Sequence, residues 1–106
     1  MNTFKNAGVL IGTSRTTAYT APAATQSVIH ALYISNIDGV NDGSVTIEVT
    51  IDGGTTYRHI AKTVSVPANS TLILDKPINM EAGDILGLTA SVAGDLEVFA
   101  SILEIS

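Results

Sequence analysis

No cysteine occurs in the chain, which excludes a disulfide framework, a thiolate metal site and a cysteine nucleophile. Tryptophan is also absent, and only three Tyr and two Phe are present, so a sugar platform built from flat exposed rings has few residues to draw on. Charge is scarce: 14% of residues are Asp, Glu, Lys or Arg, against roughly 25% in ordinary soluble domains. The charges lean acidic, to a formal net charge of -5. The basic residues Lys5, Arg15, Arg58, Lys62 and Lys76 are scattered. Binding a phosphate backbone takes clustered Lys and Arg, so nucleic acid is not expected as a partner. No apolar run approaches the roughly 20 residues that cross a bilayer as a helix, and no membrane partner is expected. The N-terminal residues lack the h-region and Ala-x-Ala exit of a signal peptide, which makes a cytoplasmic site of synthesis the expectation.

What is present is apolar and β-branched. Hydrophobic residues make up 45% of 106, enough for one core, so the chain is expected to be a single domain over residues 1–106. Val, Ile and Thr dominate the stretches between turn signals, and no segment repeats apolar residues at helical spacing with helix-start chemistry. The strands expected are Phe4 to Ile11, Ala18 to Thr20, Val28 to Ile37, Ser44 to Ile51, Thr56 to Thr63, Thr71 to Leu74, Ile85 to Ser91 and Leu96 to Ile105. The turns between them are Ala21-Pro22, Asp38 to Gly43, Asp52-Gly53-Gly54, Val66 to Ser70, Asp75-Lys76-Pro77, Gly83-Asp84 and Ala93-Gly94-Asp95. About eight short strands with this spacing predict an all-β, antiparallel, jelly-roll-like β-sandwich.

Three strands stand apart. In Ser44 to Ile51, Val45, Ile47, Val49 and Ile51 alternate with Thr46, Glu48 and Thr50, the pattern of a strand with one wet face. Val28 to Ile37 is apolar on both faces, with Val28, Leu32 and Ile34 on one and Ile29, Ala31, Tyr33 and Ile37 on the other, and Leu96 to Ile105 reads the same way. Such strands are either central in a sandwich or covered by a neighbouring molecule.

Chemistry finds little to use. The loop Asp38 to Gly43 offers acidic oxygens, but the calcium template fails because its third ligand falls on Val40 and its closing Glu on Val49. A plain turn explains it, and no metal site is expected. The only histidines are His30 and His59. His30 lies in the two-faced strand, where a satisfied, partly buried or interface imidazole is expected. His59 is expected to be exposed and unpaired. No Gly-x-Ser-x-Gly elbow occurs, and Glu48, Asp84, Glu97 and Glu104 cannot be paired across a cleft from sequence. No catalytic residue, cofactor or enzymatic activity is predicted. A carbohydrate- or receptor-binding module remains open, although Tyr33 and Phe99 are expected to be buried.

The order Tyr19-Thr20-Ala21-Pro22, Leu32 to Asn36, Val66-Pro67-Ala68, Ile78 to Asp84 and Asp95 to Glu104 resembles small virion structural proteins of tailed bacteriophages. The Met-x-Ala-Gly-Asp-x element around Gly83 is similar to the entry to a late strand in jelly-roll modules. The resemblance implies a β-sandwich that oligomerises on a particle, as a capsid decoration (cement) protein or as a tail, neck or baseplate component. The expectation is therefore a virion protein forming a homo-oligomer, a trimer, bound to the major capsid protein or other virion proteins. Tyr33, Phe99 and Leu103 are the expected subunit contact. Residues 1–17 are the expected docking arm or edge strand, with Phe4, Val9 and Ile11 touching the shell.

Overall fold

A computed structural model describes residues 1–106. The chain forms nine strands and no helix: β1 (Asn2–Leu10), β2 (Thr16–Thr20), β3 (Gln26–Asn36), β4 (Gly43–Thr50), β5 (Tyr57–Val66), β6 (Thr71–Leu74), β7 (Ile78–Met80), β8 (Ile85–Ala90) and β9 (Leu96–Ile105). The ninth, beyond the eight expected, is β7, a three-residue piece that pairs with β3 beside β6. Sheet A runs β1-β9-β3-β6 with β7 also on β3, and sheet B runs β2-β8-β4-β5. Every pairing is antiparallel. The orders β1-β9-β3-β6 and β2-β8-β4-β5, with the chain crossing between sheets except at the β4–β5 hairpin and from β6 to β7, are those of a jelly roll, so the expected fold is the one observed.

The core lies between the sheets. Val45 and Ile47 on β4 stand beside Leu86, Leu88 and Ala90 on β8 to form one wall, while Leu96, Val98, Ala100 and Ile102 on β9 and Ile29, Leu32 and Ile34 on β3 line the opposite wall. Period-two alternation in β9 sends Glu97, Phe99, Ser101, Leu103 and Ile105 to the other side of sheet A.

In β3 the alternation is interrupted. Register with β9 shifts between Ile29 and Ala31, so His30 is the extra residue of a β-bulge. The bulge changes the phase and brings Ile29 onto the same buried face as Leu32 and Ile34. The two apolar faces of this strand therefore divide differently from the expectation. Val28 and Ala31 are half-buried, Tyr33 and Ile37 are exposed, and His30 is exposed rather than partly buried.

Loop chemistry holds the sandwich ends. Gly53 and Gly54 take φ of 78° and 104° in the β4–β5 hairpin, a region closed to most side chains. The Thr50 hydroxyl donates to Asp52 Oδ1 at 2.7 Å, and Thr56 N–H donates to the same oxygen at 2.9 Å. Between β3 and β4, buried Asn36 donates from Nδ2 to the carbonyls of Asn41 and Val66 at 3.0 and 2.9 Å. Asp38 accepts from the N–H groups of Val40 and Asn41 at 2.8 and 3.1 Å. These bonds and a further one from the Asn41 side chain lower its pKa to about 2, the Val40 N–H contributing most.

Candidate assembly surface

The outer face of sheet A is the most apolar exposed surface. Cross-strand register places its side chains in rows. One row runs from Gly8 on β1 through Phe99 on β9 and Tyr33 on β3 to Ile73 on β6. A second apolar row holds Phe4, Leu103 and Val28, with the row of Asn6, Ser101 and Ala31 between the two. Phe99 is 48% exposed and Phe4 83%, while Leu103 and Val28 are half-buried. Tyr33 and Phe99 belong to strands expected to be buried and to the expected subunit contact. They lie outside because both occupy the positions alternating with the core residues Leu32, Ile34, Val98 and Ala100. Their rings meet at 6.3 Å between centroids, tilted by 42°, an ordinary aromatic pair rather than one flat platform.

The three residues expected to touch a shell separate by parity. Phe4 is on the outer face, Val9 is half-buried against the core, and Ile11 is fully buried. An odd and an even residue of one strand cannot share a face, so Phe4 alone of the three is available to a partner, and Ile11 is a core residue. Residues Asn2 to Leu10 pair with β9 along their whole length, which makes this segment the edge strand of sheet A.

The outer face of sheet B is polar and knitted together. Glu48 on β4, with its side chain 8% exposed, takes Arg15 Nε and Nη2 at 3.3 Å each, one on either oxygen. The guanidinium also lies 3.6 Å from the centre of the Tyr57 ring, and its stem crosses Gly87, where a Cβ would fall 2.9 Å from Arg15 Cγ. His59 Nε2 lies 3.5 Å from Glu48 Oε2, which corrects the expectation of an unpaired imidazole: β5 pairs His59 opposite Glu48. Both oxygens of Glu48 are engaged by Arg15, and none of the four surface hollows is lined by Glu48 or His59. The cluster binds β4, β5 and the segment before β2 to one another. Nothing in the sequence links Arg15 to Glu48 across 33 residues.

Two further polar contacts join elements. Tyr19 on β2 reaches across to sheet A, where its hydroxyl donates to Glu104 Oε2 at 2.5 Å and lies 2.7 Å from Ser27 Oγ. Loss of water and the hydrogen bond to Glu104 push its pKa up to about 12. At the other end Asp95 faces Asp38, and loss of water followed by the Asp38 charge raises its pKa.

No protein-family model matches the chain, and no curated protein sequence matches it significantly. Solved structures do match it. One, from "Bacillus endospore appendages form a novel family of disulfide-linked pili", superposes with a TM-score of 0.59 at 14% identity, covering 100% of this chain and 87% of that one. Another, the acid-stable capsid structure of Helicobacter pylori bacteriophage KHP30, gives a TM-score of 0.53 at 9% identity, covering 99% and 93%. This chain shares their fold. A shared jelly roll does not carry a shared role, which has to be argued from the surface.

Proposed function

We propose that this protein is a non-enzymatic structural subunit of a bacteriophage particle. In this reading it is a decoration (cement) protein, a homo-oligomer bound to the outer capsid that stabilises it. One observation carries the proposal: the outer face of sheet A presents Tyr33, Phe99 and Ile73 to solvent in one cross-strand row and Phe4 in a second. A monomer leaves such a surface exposed at a cost in solubility, and a subunit that works by covering neighbours uses it. The subunit contact runs through Tyr33, Phe99 and Leu103, and Phe4 extends it toward the shell.

The likeness to the KHP30 capsid structure supports a place in a virion. The pilus likeness has no counterpart in chemistry here, because a chain with no cysteine forms no disulfide link. A tail, neck or baseplate location would use the same surface. Imaging of particles with and without the protein separates these locations: density on the outer capsid and loss of capsid stability on removal are expected. Density confined to the tail refutes the decoration role. A homo-oligomer is expected in solution, and sedimentation velocity reads whether its subunits number three or, where copies meet across a two-fold axis, are even in number.

A carbohydrate- or receptor-binding role has one feature in its favour, the exposure of Tyr33 beside Phe99. Binding on a glycan array that is abolished by Tyr33→Ala would replace the structural reading.

A further inference from the structure

The strand edges of this sandwich are guarded unequally. β5 shifts register twice against β4, places Thr63 at φ 52° and exposes Arg58 and Lys62. β2 is five residues long and shifts register after Thr17. The β6 and β7 edge is cut by Asp75, Lys76 and Pro77 between two short pieces. Bulges, charges, proline and brevity are what keep an edge from pairing with another chain. β1 has only one of them, the single charge of Lys5: nine consecutive residues pair with β9 in unbroken register, without bulge or proline.

The free side of β1 can be assigned residue by residue. Ile11 N–H donates to the Leu96 carbonyl and the Met1 carbonyl accepts from Ser106 N–H, so odd-numbered residues turn their backbone groups toward β9. Alternation then turns those of Asn2, Phe4, Asn6, Gly8 and Leu10 outward.

We propose that β1 pairs with β1 of a second copy, antiparallel, across a two-fold axis at Asn6, an inference that rests on the assembly role argued above. In this register Asn6 faces Asn6, Leu10 faces Asn2, and Phe4 faces Gly8. All five outward residues then exchange backbone hydrogen bonds. Phe4, 83% exposed in the single copy, lies over a residue with no side chain. Gly8 borders a hollow of about 350 Å³ shared with Leu10, Tyr33 and Phe99, and the ring of Phe4 fills it. The apolar row Val28, Leu103, Phe4 of one copy runs on into Gly8, Phe99, Tyr33, Ile73 of the other.

Neighbouring registers fit less well. An axis at Lys5 sets like charges opposite each other, which is unfavourable. An axis at Ala7 turns Phe4 onto Leu10 and leaves the hollow unfilled and Asn2 unpaired. Two copies joined at Asn6 present one continuous sheet with a double-width apolar face.

The chain has no native thiol, so Asn6→Cys gives a clean test. Facing residues in a hydrogen-bonded antiparallel pair lie about 5.5 Å apart at Cα, inside the roughly 4.4–6.8 Å a disulfide spans. Air oxidation of Asn6→Cys is expected to give a covalent dimer on non-reducing gels, and Ser65→Cys on the guarded β5 edge is expected to give none. Asn6→Pro removes an N–H that points away from β9, so it is expected to keep the monomer fold by circular dichroism and weaken self-association tenfold or more. If the wild-type chain assembles while Asn6→Cys stays unlinked and Asn6→Pro assembles unchanged, the edge pairing is refuted and the assembly role stands. A wild-type chain that sediments as a monomer up to millimolar concentration refutes both.

Discussion

Removing the ring of Phe99 tests the proposed contact at the centre of its longest apolar row. Phe99 is 48% exposed in the single copy. An aromatic side chain carries on the order of 200 Å² of surface, so about 95 Å² of this one waits to be covered. At about 25 cal/mol per Å², covering it contributes roughly 2.4 kcal/mol for each Phe99 in the contact. That corresponds to about 50-fold in the dissociation constant. Phe99→Ala is therefore expected to shift the midpoint of self-association by about that factor in sedimentation velocity run over a concentration series. The half of the ring already buried lies against the outer face of sheet A, so the variant also loses a similar amount of monomer stability. A urea titration at a concentration where both proteins are monomeric measures that loss and shows that the fold remains. Phe99→Ala with an unchanged mass distribution and an intact fold would refute the reasoning, because the most central exposed ring would then cover nothing.

Arg15→Lys is expected to destabilise the monomer by about 1–2 kcal/mol in urea unfolding, since an ammonium loses both the two-point contact to Glu48 and the stacking on Tyr57; the figure is held low because Arg15 is 43% exposed. Gly87→Ala is expected to cost about 1 kcal/mol by displacing the Arg15 stem, and a double-mutant cycle should show that cost vanishing in Arg15→Ala. Asp95 has a raised pKa, so its stabilising effect is full below the unfolded carboxylate value and is lost as pH rises through the folded one. Asp95→Asn is accordingly expected to raise Tm at pH 7, with the gain fading below about pH 4. Absorbance at 295 nm should show one of the tyrosines, Tyr19, ionising only near pH 12, and that late step should be missing from Tyr19→Phe.

Strand identity was legible where a regular alternation met a clear turn. In β4, Val45 and Ile47 face inward as the pattern requires and the Gly53-Gly54 hairpin follows where it was expected, but Ile51 lies past the strand end and is exposed, and Glu48 and Thr50, read as the wet face, are buried. Face assignment failed where the period of two was broken or mixed. The bulge at His30 carries no sequence mark, because a bulged residue is any residue that the partner strand leaves unpaired. Reading β3 as unbroken put Ile29 beside Tyr33, which the structure separates. Grouping Phe4 with Val9 and Ile11 joined residues of opposite parity and sent a core side chain outside. The Arg15, Glu48 and His59 cluster was illegible for another reason: its members come together only through pairing between β4 and β5 and the path of the chain into β2, which no local spacing encodes.

Strand β9 lies between β1 and β3, with Leu103 opposite Phe4. The first strand thus waits for a partner about a hundred residues further along the chain. A ribosome that has not yet released Leu96 holds a nascent chain with a gap in the middle of sheet A and an unpaired, unguarded β1 beside it. Folding must follow synthesis and close as one cooperative event, and during that interval the same strand is exposed to whatever lies nearby.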